Sequence, residues 1–102
     1  MTTDNAPRWK TALVGCGRIG HRHAGILAEE PRSSFFAVVD NDLNRARDFS
    51  QKHGGRPYGD LGTMLRSESP ELVAICTPSG DHVEHVLAAA RAGVPNIVVE
   101  KP

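Results

Sequence analysis

Three glycines at positions 15, 17 and 20, with an aspartate 20 residues beyond the last of them, are the residues of this chain best suited to chemistry. In Gly15-Cys16-Gly17-Arg18-Ile19-Gly20 the spacing is GxGxxG. Gly15 permits a tight turn, Gly17 has no side chain to block a pyrophosphate, and Gly20 lets a helix pack close to a sheet. The N–H groups of that helix start, around Arg18 and Ile19, lack intrahelical partners and face the anion. Asp40 would accept hydrogen bonds from the hydroxyls of an adenosine ribose and repel a 2′-phosphate, which favours NAD over NADP. With ten glycines in 102 residues the pattern means little by itself, and its flanks decide its value.

These roles demand a buried strand before Gly15, a helix after Gly20 and a second strand ending at Asp40. The chain has all three. Thr11-Ala12-Leu13-Val14 is a short apolar run stopped by glycine, and Ile19, His23, Ile26 and Leu27 then repeat at helical spacing until Glu29-Glu30-Pro31. Phe35 to Val39 is a second apolar run, and Asp42 is placed to cap a helix that turns Leu43, Ala46 and Phe49 inward and closes at Gly54-Gly55. Arg56-Pro57-Tyr58 is a short third strand, followed by a small helix opened by Asp60 with Leu61, Met64 and Leu65 on one face. Leu72 to Cys76 is the fourth strand. Val83, Val86, Leu87 and Ala90 predict a fourth helix, stopped by Gly93 and Pro95 before the fifth run, Ile97-Val98-Val99. Strands without a polar face, alternating with amphipathic helices, predict an α/β fold. Its expected form is a doubly wound parallel sheet of the Rossmann type, five strands in the order 3-2-1-4-5. Residues 1–8 read as a flexible leader and 9–102 as the domain.

In such a sheet ligands sit outside the carboxyl ends of the strands flanking the switch point, so Thr77, Pro78 and His82, just past strand four, are candidates to border the same ligand. His21, His53 and His85 read as ordinary surface histidines. His21 and His23 cannot share a helical face, and His82-Val83-Glu84-His85 is one residue short of HxxEH, so no metal site is expected. Cys16 and Cys76 would end neighbouring strands and are expected as free thiols. A P-loop NTPase is excluded by the lack of GxxxxGK[ST]. A methyltransferase binding S-adenosylmethionine shares the Gly-rich turn and the acidic strand end, and stays open, although the three-glycine spacing counts against it. Lys plus Arg and Asp plus Glu are both 12, so no electrostatic footprint for nucleic acid stands out. No apolar run approaches a membrane span and no signal peptide is evident, so no membrane partner is expected and the cytosol is the expected compartment.

Three segments in order resemble the Gfo/Idh/MocA family of NAD(P)-dependent oxidoreductases: Ala12 to Gly20 with His23-Ala24, Cys76 to His82, and Ala92-Gly93 leading to Val99-Glu100-Lys101-Pro102. The resemblance spans residues 11–102. It implies that Glu100-Lys101-Pro102 is the family's EKP motif, with Lys101 the catalytic group that orients the reacting hydroxyl while the nicotinamide accepts hydride from the same carbon. It likewise implies that His82 lines the cofactor pocket and that Glu100 and Lys101 belong to it. The expected substrate is a sugar, an inositol or a nucleotide-sugar, held by a further α/β domain, and the whole protein is expected to be a homo-oligomer. Between Ala92 and Val99 the chain is one residue longer than the family's common form, which predicts a bulged or shifted start to strand five. A free-standing NAD-binding or sensing module without catalysis is the alternative reading. By itself the 102-residue chain is expected to lack turnover and to be weakly stable or self-associating, because strand five leaves an unpaired apolar edge.

Overall fold

The computed structural model describes residues 9–29, 33–77 and 79–100. In it β1 (Trp9–Val14), α1 (Arg18–Glu29), β2 (Ser33–Val39), α2 (Leu43–His53), β3 (Arg56–Tyr58), α3 (Leu61–Glu68), β4 (Leu72–Ile75), α4 (His82–Arg91) and β5 (Asn96–Val99) alternate along the chain. A 3₁₀ turn at Ser79–Asp81 leads into α4. Every neighbouring pair of strands is parallel, and the order across the sheet is β3-β2-β1-β4-β5, as the sequence predicts.

Successive side chains of a strand point to opposite faces, and here both faces are covered, which is why the strands read as unbroken apolar runs. Ala12 and Val14 of β1 pack with Ala37, Val39, Val73 and Ile75 against Met64 of α3 and Ala89 of α4. Leu13 faces the other way, with Val38 and Ala74, against Ala24 of α1 and Ala46 and Phe49 of α2. The two helix starts announced by aspartate are capped as expected: Asp42 accepts from the N–H groups of Asn44 and Arg45, and Asp60 from that of Thr63. Such caps contribute about 1 kcal/mol each.

Several inward faces differ from those the periodicity predicts. Among the described residues of α1, Gly20 and Ala24 are buried, while Ile26 is 59% exposed. On α4 the buried residue is Ala89, while Val83 is 70% and Leu87 45% exposed, and Ala90 also faces out. Both helices bury an alanine, and Ile26, Val83 and Leu87 face out, whereas Val86 packs against the core as the periodicity predicts. Leu43, the first residue of α2, is likewise exposed and lies beside Gly59. The side chains of Ile19, His23 and Leu27, the leader at 1–8, Pro78 and Lys101 lie outside the described residues. β5 pairs with β4 in unbroken register from Leu72–Asn96 to Ile75–Val99, so the extra residue before it causes no bulge. Before it, Gly93 takes a positive φ of 84° and Val94 turns into the core. The sheet's register shift lies instead between β1 and β2, at Thr11–Ala12. No described helix is long and apolar enough to cross a membrane.

Candidate functional site

At the end of β1 the chain turns at Gly15 with φ 102°, a conformation that favours glycine. The turn is held from both sides. The Gly15 N–H donates to the Val39 carbonyl at 2.7 Å, and a Cβ on Gly15 would lie 2.8 Å from the Cys76 carbonyl carbon and 3.0 Å from Thr77 Cγ2. At Gly20 a Cβ would fall 2.1 Å from the Gly15 carbonyl oxygen, so a side chain there would separate α1 from the turn that starts it. Gly17 differs from both, since a Cβ on it would meet nothing within 4 Å. Protein packing does not require glycine at this position, whereas a pyrophosphate drawn against a bare backbone edge does. α1 has no acidic residue in its first turn to compete with an anion at its positive end.

Asp40 is buried, 7% exposed, at the carboxyl end of β2. Its Oδ2 accepts from the Cys16 N–H at 3.0 Å and its Oδ1 from the Asp42 N–H at 2.9 Å. The Arg45 guanidinium stands 3.7 Å from Oδ2. The carboxylate therefore joins the glycine loop to the head of α2, and each oxygen keeps a second lone pair for a ribose hydroxyl. An open cavity of about 850 Å³ runs along this edge, lined by Gly15, Gly17, Arg18, Asp40, Thr77 and Glu100 among others. That volume lies within the range of small-molecule and cofactor sites.

Past β4, Thr77 is half-buried and the His82 Nε2–H donates to its carbonyl at 2.5 Å. The cavity wall on α4 includes His85, whose Nδ1 lies 2.9 Å from Thr77 Oγ1. His85 is thus no ordinary surface histidine. Neither are His21 and His53, whose Nδ1 and Nε2 lie 2.9 Å apart with both rings against Phe49, joining α1 to α2. The sequence signal for His85 was its place in the first turn of the helix after β4, one turn from His82. For the His21–His53 pair, 32 residues apart, there was none. Cys16 and Cys76 are free and buried at the ends of β1 and β4. Burial, then the Asp40 charge, pushes the Cys16 thiol up to about 12; burial, then Glu100, pushes Cys76 up to about 11. Both are kept as unreactive thiols at neutral pH.

Gly15, Gly17, Arg18, Asp40, Thr77 and Glu100 therefore line one cavity, while His82 braces the turn behind Thr77 and is not among the residues lining it.

A parallel sheet wound on both faces, with a glycine loop at its switch point and an acid at the end of the second strand, defines a dinucleotide-binding class of protein. The family profile described as "Oxidoreductase family, NAD-binding Rossmann fold", that of Gfo/Idh/MocA, matches residues 9–102, and the chain belongs to this family. It is 35% identical over 102 residues to D-apiose dehydrogenase of Paraburkholderia graminis, covering 99% of this chain and 27% of that protein. It is 30% identical over 95 residues to D-glucoside 3-dehydrogenase of Escherichia coli, covering 91% of this chain and 27% of that protein. Among solved structures, the WlbA dehydrogenase of Chromobacterium violaceum in complex with NADH and UDP-GlcNAcA superposes with a TM-score of 0.88 at 31% identity. That match covers 96% of this chain and 28% of the other. The chain thus spans about a quarter of the length of these relatives.

Proposed function

We propose that this chain is the NAD-holding domain of an oxidoreductase that moves hydride between NAD and a hydroxyl-bearing carbon of a sugar, inositol or nucleotide-sugar. The observation that carries the reading is Gly17, a glycine that packing does not need, set on the cavity wall close to the buried acid Asp40. The backbone around Gly17 and Arg18 receives the pyrophosphate, and Asp40 receives the adenosine ribose and disfavours a 2′-phosphate. When bound, the nicotinamide supplies the hydride acceptor or donor. Glu100 lines the cavity, and Lys101, the next residue, is assigned the reacting hydroxyl, where a cation favours the developing alkoxide. The substrate itself is assigned to a second domain, in keeping with relatives nearly four times as long. A second reactant has to be held for hydride transfer to be fast, so this domain by itself is assigned no turnover.

Calorimetric titration of the chain with NADH, NADPH and S-adenosylmethionine tests the reading. NADH should bind, NADPH about tenfold or more weakly, a difference of about 1.4 kcal/mol, and S-adenosylmethionine not at all. Binding of S-adenosylmethionine without NADH would place the chain among methyltransferases instead.

A further inference from the structure

We propose that His85 is a contact residue for the nicotinamide half of the dinucleotide, held in place by Thr77; the inference rests on the dinucleotide reading above. The direction of the ligand follows from the sheet. With the pyrophosphate at the loop after β1 and the adenosine ribose at Asp40 after β2, the other half of the molecule must extend to the opposite side of β1, over the end of β4. Thr77 and the first turns of α4 form the wall there.

The Thr77 side chain is held by two contacts. Its methyl group packs on Gly15, where an added Cβ would come within 3.0 Å, and its hydroxyl meets His85 Nδ1 at 2.9 Å. That second contact orients the imidazole, leaving Nε2 without a hydrogen bond among the described residues. The charged side chains that share this wall among the described residues are carboxylates, Asp81, Glu84 and Glu100. They can accept hydrogen bonds from ribose hydroxyls but cannot donate to a phosphate or a ribose ring oxygen. His85 supplies the missing donor: when Nδ1 accepts the Thr77 hydroxyl proton, the ring proton sits on Nε2, the tautomer that an anionic ligand favours.

The test compares NADH with AMP, which carries the adenosine half alone, on the wild-type chain, His85→Phe and His85→Gln. His85→Phe should weaken NADH about tenfold, the scale of a hydrogen bond to a charged group, and leave AMP unchanged. His85→Gln, which restores an N–H donor, should recover NADH affinity to within about threefold. Equal NADH affinity in wild type and His85→Phe would overturn the assignment. So would a parallel loss of AMP and NADH, or a loss that glutamine does not relieve, since either assigns the effect to shape. Failure of the wild-type chain to bind NADH or AMP would remove the dinucleotide reading itself, and this inference with it.

Discussion

The half of the sheet formed by β1 and β2 with α1 and α2, and the half formed by β4 and β5 with α4, both bury an apolar core but differ in what they hold at their rims. In the first, Leu13, Val38, Ala46 and Phe49 are buried, and the glycine loop is held on three sides by contacts and hydrogen bonds to Val39, Asp40 and Cys76. In the second, Val83, Leu87, Val98 and Val99 are 40 to 70% exposed. On the function proposed above, the loop half holds the phosphates with this chain's own residues, and the β4–β5 half adds a wall for the rest of the ligand.

That contrast can be broken most severely at Gly20. In Gly20→Ala the new Cβ would press on the Gly15 backbone oxygen from 2.1 Å, and the backbone itself has to move. The expected cost is about 3 kcal/mol, or a melting temperature lower by roughly 12 °C or more. Val99→Thr, on the half with exposed residues, should change stability by less than about 0.5 kcal/mol. Comparable thermal melts for the two variants would erase the distinction between a tightly held loop and a tolerant edge.

Asp40→Ala should have the next largest effect. It leaves the Cys16 and Asp42 N–H groups without their acceptor, at a cost of about 2 kcal/mol. It should also weaken AMP as well as NADH, unlike the pattern expected for His85. A variant that melts with the wild type and binds AMP equally would remove Asp40 from both its roles.

A smaller effect concerns the His21–His53 pair behind the loop. Burial, then the neighbouring His53, then Lys52 hold the His21 pKa below its ordinary value of 6.5. The unfolded chain therefore binds more protons between that lowered value and 6.5. Stability is complete above about pH 6.5 and declines as the pH falls through this window. Because the ring is partly exposed, the decline should be modest, about 1 to 2 °C in melting temperature. In His21→Gln this part of the pH dependence should vanish. A pH profile that keeps its slope below 6.5 in His21→Gln would place the effect on other groups.

Much of the fold was legible because it rests on features local in sequence. Apolar runs end at Gly15, Asp40 and Thr77, Asp42 and Asp60 cap the helices they precede, and Arg56 to Tyr58 forms the short edge strand where Pro57 is tolerated. The loop and Asp40 were legible because their spacing follows from the ligand's chemistry. The outward places of Ile26, Val83 and Leu87 were not, since periodicity gives weight to large aliphatic residues, whereas packing on the sheet buries Ala24 and Ala89 and keeps Val86 of the expected stripe. His85 and the His21–His53 pair escaped for a related reason. Their contacts join residues whose proximity exists only once β4 and α4, or α1 and α2, are packed.

The central claim is that Gly15 to Gly20 is a phosphate cradle rather than a strand-to-helix turn, and Gly17→Ala tests it most directly. A Cβ there meets no protein atom within 4 Å, so the melting temperature should stay within about 2 °C of the wild type. NADH affinity should fall by about a hundredfold as the methyl group pushes the pyrophosphate off the backbone. A Gly17→Ala chain that keeps its fold and binds NADH as tightly as the wild type would contradict the account.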